Sequence, residues 1–386
     1  VLSQALEARV VGVVTMAWAM ARKRLGARGI FAGCCVVLSL GAMAARASDL
    51  KSDEIIVFHP SYLTWHPGAG QWRGVIRGLV CEPDDGRSES LKLALLRELL
   101  GVDRDLTDEE ERLFRERAGG FFVDGERGKR ITVRLGDRTF TSRPSRPDGH
   151  FVVKASVAGG EAGDTLAFVA ELAKDDPRRF GGTLRLLGAT GTSVISDLDD
   201  TVKKSDVLDR RALLANTFLR PFEPVPRMPE RYEAWGRQGV VFHYVTGSPW
   251  QLYRPLWEFL EDHGFPGVEI GMRRFRLKDS SAVHFFRDPH RYKTARVREI
   301  LRRFPERRFV LVGDSGERDP HVYAEIAREF PGRVRGIFIR AVLESHRARS
   351  RYHEVFEGIE DTRWVIFRDA AELPDDLALW CAAGDR

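Results

Sequence analysis

The sequence predicts an α/β protein: a parallel sheet covered by helices on both faces, preceded by a β-rich, sandwich-like region that carries a helical insert. Two observations predict it. From about residue 190, short apolar runs alternate with amphipathic helical stretches, which is the rhythm of βαβ units. Before residue 190, short runs with partial two-residue alternation dominate, which is the rhythm of half-buried strands. At 386 residues, 43% hydrophobic and 10% aromatic, the chain is long enough for two or three domains of ordinary size.

The elements follow in order. EIIVFH, GVIRGLVC, KRITVRLGDRTFT, GHFVVKASV and DTLAFVAEL read as strands. Trp65 and Trp72 flank a Gly/Pro turn, and Gly136-Asp137 stands where a hairpin would turn. The insert begins with SLKLALLRELLG, apolar at helical spacing. Thr107 and Glu110 then form a capping box ahead of EERLFRERA. In the second half the strands are TSVIS, VVFHYV, VEI, FVLV, GIFI and WVIF. Between them lie helical stretches: WQLYRPLWEFLEDH closed by Gly264, YKTARVREILRRF, and a helix after Pro320.

The first 47 residues read as a leader. Met20 opens a basic stretch, ARKRLGARG, followed by the apolar IFAGCCVVLSLGAMA and small residues Ala45 and Ala47 that suit cleavage before Ser48. Two other readings stay open: an uncleaved anchor, and a lipoprotein site at Cys34. Residues 1–19 read as an upstream misreading of the start. The expectation is an exported protein, periplasmic or secreted, with membrane association open. The leader holds six basic residues against Glu7, so it accounts for the whole net charge of +5. The remaining chain is neutral, and bulk charge gives no case for nucleic-acid binding. Cys81 and Cys381 make no metal signature; they read as buried thiols, with pairing open.

The chemistry follows the strands. After TSVIS come Asp197, Asp199, Asp200 and Thr201; after VVFHYV come Thr246, Gly247 and Ser248; after FVLV come Asp314 and Asp319. In a parallel sheet these clusters converge at the carboxyl ends of the strands, where ligands bind. Crowded carboxylates repel unless a cation and a phosphate complete the site. Asp197 suits a covalent nucleophile. Asp199 suits an acid/base. Magnesium takes one or two carboxylates and phosphate oxygens, and Asp314 and Asp319 supply more oxygen. Thr246 can bond a phosphate oxygen, and Lys293 can neutralise charge on it.

DLDDT, VTGS, Lys293 and GDSGERD, in that order, resemble the four motifs of the haloacid-dehalogenase-like phosphatases. SDLDDTVKKSDV, HYVTGSPWQLY and FVLVGDSGERDPHVY resemble more narrowly the catalytic domain of the actin-patch-protein phosphatidate phosphatases, over about residues 190–370. The resemblance implies a haloacid-dehalogenase-like Rossmannoid fold and hydrolysis of phosphatidate to diacylglycerol and phosphate. It implies Asp197 as nucleophile, Asp199 as acid/base and Thr201 in support. It implies Thr246, Gly247, Ser248 and Lys293 around the phosphate. It implies Mg²⁺ on Asp197, the Asp199 carbonyl, Asp314 and Asp319. The expected partner is a phospholipid substrate at a membrane surface, and no nucleic acid.

Each residue also has a plainer reading. Asp200 reads as a bystander of its motif. Thr246 and Ser248 could cap a helix near Pro249. Lys293 could be a surface lysine, with Arg291 as its rival. Trp250 could touch an acyl chain or sit in a lid; Asn216 and Tyr253 also resemble family positions near the site. Arg273, Arg274, Arg276 and Lys278 could steer an anionic head group. His243 reads as a core residue. The expected boundaries are a leader over 1–47, a β-rich domain over 48–190 and a phosphatase domain over 191–386. Two alternatives stand beside phosphatidate hydrolysis: a phosphatase for a soluble phosphomonoester, and a phosphatidate-binding module without turnover.

Overall fold

The computed structural model describes residues 48–83, 93–94, 96–98, 101–102, 104–274 and 290–383. The leader, Cys34, Arg276 and Lys278 lie outside the described residues, as does half of SLKLALLRELLG.

The N-terminal strands join in one eight-stranded sheet rather than in separate ladders. They are β1 (Ile55–His66), β2 (Gln71–Glu82), β3 (Asp124–Gly125), β4 (Thr132–Leu135), β5 (Arg138–Thr141), β6 (His150–Val157), β7 (Thr165–Ala170) and β8 (Gly181–Leu187). The order is β3-β2-β1-β8-β7-β4-β5, with β6 also on β2. All pairings are antiparallel except β1 with β8. The sheet curls, and its ends meet where Arg138 Nη1 donates to Ser156 O at 3.1 Å. Ile76, Val80, Val133, Phe151, Val153 and Leu186 fill the inside. Trp65 and Trp72 face each other across β1 and β2. The sequence reading missed the two-residue β3 and also β8; in β8, GGTLRLL begins with two glycines, which weaken a strand signal.

The second sheet is wholly parallel. It contains β9 (Thr192–Ser196), β10 (Val241–Pro249), β11 (Glu269–Arg273), β12 (Arg308–Asp314), β13 (Val334–Arg340) and β14 (Trp364–Phe367). The order is β11-β10-β9-β12-β13-β14, so the chain reverses direction of travel between β9 and β12. Successive side chains of a strand face opposite ways. Val194, Val310 and Val312 therefore pack on one side, against α2 (Arg210–Phe218), α3 (Met228–Arg237) and α4 (Tyr253–Asp262). Ile195, Phe309 and Leu311 pack on the other, against α5 (His290–Arg303) and α6 (Asp319–Glu329).

The insert does not belong to the β-rich core. Its helix α1 (Asp108–Gly119) starts at the expected capping box, Thr107 and Glu110 each bonding the other's backbone. Leu93, Leu96, Phe114, Ala118 and Phe121 then bury among residues of the second sheet and α2. Arg117 donates to Thr217 O at 2.9 Å and lies 3.7 Å over the Phe222 ring. Gly120 approaches so closely that a Cβ there would stand 2.4 Å from Gln251 O. Local periodicity states that a helix is amphipathic; it does not say which half supplies the partner. Cys81 and Cys381 are buried and unpaired. Among the described residues, no helix is long and apolar enough to cross a membrane.

Candidate active site

Asp197 follows β9 directly, and its N–H bonds Val312 O at 2.9 Å, so β12 fixes where it begins. The loop behind it is organised by Asp200, whose carboxylate accepts from the N–H groups of Ser205, Asp206 and Val207 at 2.9, 3.0 and 2.7 Å. Asp200 itself holds a left-handed backbone, φ 53°, a conformation that aspartate tolerates better than most residues. Asn216 supports the same loop through Ser205 O and Asp206. The expected bystander is thus the residue that shapes the loop.

Three carboxylates meet one ammonium. Lys293, on α5 and 2% exposed, stands 2.7 Å from Asp197 Oδ1, Glu317 Oε2 and Asp319 Oδ1. It is therefore no surface lysine. Burial opposes its charge, but Asp197, Asp319 and Glu317 hold its pKa well above the ordinary value. Asp197 is pushed well above the usual carboxyl range, first by burial and then by Asp319, Glu317 and Asp314, against the pull of Lys293. Asp314 moves the same way, first by burial and then by Asp319 and Glu317. Thr201 donates to Asp197 Oδ2 at 3.4 Å.

Asp199 has the opposite environment. Ser205, Thr246 and Ser248 hydroxyls donate to it at 2.7, 3.0 and 3.1 Å, and Lys203, itself 2% exposed, is 3.0 Å away. Burial raises its pKa, but Lys203 and these donors outweigh it and bring it down to about 2. Thr246 and Ser248 cap no helix: β10 runs on to Pro249, and α4 has no side-chain cap. Gly247 lies between them, and Trp250 opens the short turn that leads to α4.

Three oxygens suit a cation. Asp197, Asp314 and Glu317 each place a carboxylate oxygen within 4.8 Å of the other two. Buried Asp314 Oδ2 accepts no hydrogen bond from the described residues, and buried Asp197 Oδ1 faces the Lys293 ammonium. Hard, anionic, under-satisfied oxygens are what a Mg²⁺-type ion takes up. Asp319 shares Lys293 with Asp197 and Glu317, while Asp199 pairs with Lys203. Glu317 is the residue the sequence reading passed over. Its signal was present in GDSGERD, three residues past Asp314, where the N–H groups of Gly316 and Glu317 both bond Asp314 Oδ1. Gly313 makes the turn possible: a Cβ there would stand 2.4 Å from Asp319 Oδ2. His243 is a core residue, as expected, bonded through Nδ1 to Glu269 at 2.9 Å.

Residues 192–341 match the family model described as "Phosphatidate phosphatase APP1, catalytic domain". An uncharacterised protein of Schizosaccharomyces pombe is 32% identical over 162 residues, 41% of this chain and 26% of its own length. Phosphatidate phosphatase APP1 of Saccharomyces cerevisiae is 31% identical over 159 residues, 40% of this chain and 27% of its own. The chain thus spans about a quarter of the length of these relatives. A magnesium- and phosphate-bound D,D-heptose 1.7-bisphosphate phosphatase from B. bronchiseptica superposes with a TM-score of 0.29 at 17% identity, covering 50% of this chain and 98% of that one. That likeness is too low for any residue to be carried across.

Proposed function

We propose, from the match of residues 192–341 to the phosphatidate phosphatase APP1 catalytic-domain model, that the chain is a Mg²⁺-dependent phosphomonoester hydrolase acting on phosphatidate through Asp197. The observation that carries the reading is the buried pair of Asp197 and Lys293, 2.7 Å apart, beside two further carboxylates that can share a cation. The fold is then the haloacid-dehalogenase-like form of the parallel sheet. The chain divides into a β-rich part over 48–190 and a phosphatase part over 191–386, and the leader exports it to a periplasmic or extracellular membrane surface.

In the first step an Asp197 oxygen attacks phosphorus, the phosphorus–alcohol bond breaks, and the alcohol oxygen takes a proton from Asp199. In the resting chain Asp199 is ionised. A doubly charged phosphate arriving beside it favours the protonated form, since a neighbouring like charge raises a carboxyl pKa. In the second step water attacks the aspartyl phosphate and gives its proton back to Asp199. Phosphate leaves and the Asp197 carboxylate returns. Lys293 holds charge on the transferring group and favours the ionised form of Asp197 against the burial and the carboxylates that oppose it. Thr246 and Ser248 orient Asp199. Asp197, Asp314 and Glu317 would hold Mg²⁺, which neutralises phosphate charge and relieves the repulsion among the carboxylates.

The test is phosphate release from phosphatidate in mixed micelles, with and without Mg²⁺, beside Asp197→Asn. Release that needs Mg²⁺ and falls at least about a thousand-fold in the variant is expected, the scale on which losing a nucleophile acts. Release from p-nitrophenyl phosphate alone would move the reading to a soluble phosphomonoester. Lipid binding without release from either would move it to a binding module.

A further inference from the structure

A cavity of about 510 Å³ lies between the two sheets, beside the candidate active site. His59, Arg77 and His150 come from the β-rich sheet; Trp250, Tyr253 and Arg296 come from the turn after β10, α4 and α5 of the parallel half. Its floor is the end of β11. Gly271 pairs with Val245, and Arg273 with Pro249, so the floor lies at the same carboxyl edge as Thr246 and Ser248. The chain leads from site to cavity twice. Trp250 stands two residues beyond Ser248, and Tyr292, also in the wall, precedes Lys293.

The walls have a distinct chemistry. His59 and Tyr253 pack with ring centroids 4.5 Å apart, and His150 meets Trp250 edge-on at 4.9 Å. These contacts join the two halves into one aromatic rim. Arg296 is held at one end by Glu269 and Glu299, and Arg77 lies 3.7 Å from Glu299. Two buried nitrogens on the wall have no hydrogen-bond partner among the described residues: Arg296 Nε and His150 Nδ1, the latter no closer than 3.5 Å to Asp148. Buried polar nitrogens left without partners are costly and uncommon. A ligand bearing oxygen acceptors would satisfy them.

Resting on the reading of Asp197 as nucleophile, we infer that this cavity seats the alcohol part of the substrate, and that it selects an alcohol with ester oxygens close to its phosphate. The β-rich half is then a wall of the substrate site. Its His150 is a specificity-determining residue. The aromatic rim covers the apolar continuation of the ligand, and the arginine face takes its carbonyls.

The experiment uses calorimetric binding of two phosphonates that are not hydrolysed, a dihexanoyl glycerophosphonate and its dihexyl-ether counterpart, in Mg²⁺. The ester is expected to bind about three- to ten-fold more tightly, the worth of one or two hydrogen bonds. His150→Ala should erase that preference, and His150→Asn should restore part of it. Equal binding of ester and ether by the unaltered protein overturns the inference. So does a parallel loss of both in His150→Ala, which would mark the residue as structural. Release of phosphate from phosphatidate in mixed micelles by the unaltered protein, beside Asp197→Asn, reports separately on Asp197. Its failure strikes the catalytic reading, while the phosphonates still report on the cavity.

Discussion

Asp314 has one oxygen held by two backbone N–H groups and the other bare. Without a cation, its charge adds to those of Asp197, Glu317 and Asp319 around a single lysine. Asp314→Asn should therefore stabilise the metal-free protein: a rise in Tm of about 2–4 °C in EDTA is expected for roughly 1 kcal/mol. Saturating Mg²⁺ should stabilise the unaltered protein but not the variant. A variant that melts lower in EDTA would sink the repulsion argument. Lys203 gives a second prediction at this scale. It holds Asp199 ionised down to about pH 2, so Lys203→Met should raise the Asp199 pKa. The alkaline limb of the kcat/KM profile, on which the proton donor is lost, should move to higher pH; an unmoved limb would remove Asp199 from that limb.

At the scale of elements, the strand ends that carry the site were legible because each is an apolar run followed at once by polar residues. The strand order was not, since pairing joins segments far apart in sequence: β9 lies between β10 and β12. The placing of Lys293 on Asp197 was reached through resemblance, because a lysine in an amphipathic helix carries no sign of burial. Glu317 was missed because a turn residue is conspicuous only once the turn is built. That turn yields a prediction. Gly313→Ala forces a Cβ against Asp319 and within 2.7 Å of the Tyr323 ring. It should cost about 1–3 kcal/mol, the usual scale of overpacking, read as a lower urea midpoint, and displace Asp319 from Lys293. A fully active, equally stable variant would show the turn to be more pliant than its geometry says.

Across the whole molecule, burial sets both pH dependence and the unity of the two halves. Burial, with His150 and Arg77 close by, lowers the His59 pKa to about 3, and burial also lowers those of His243 and His346. Between pH 6.5 and 3 the unfolded chain binds the His59 proton and the folded chain does not. Stability from this group is complete above about pH 6.5 and drains away as pH falls towards 3, at up to about 1.4 kcal/mol per unit. Urea midpoints measured across that range should slope less steeply in His59→Gln. The insert ties the halves together in the same core, so residues 191–386 expressed alone should be aggregation-prone, with Phe218 and Phe222 stripped of Phe114 and Arg117. The insert also has a history in time. During synthesis Phe114 and Phe121 leave the ribosome ahead of Phe218, the ring they will face, by roughly a hundred residues, or about 5–20 s of elongation. For that interval the nascent chain displays an apolar helix with nothing to cover it, a standing invitation to a holding chaperone that closes when α2 emerges.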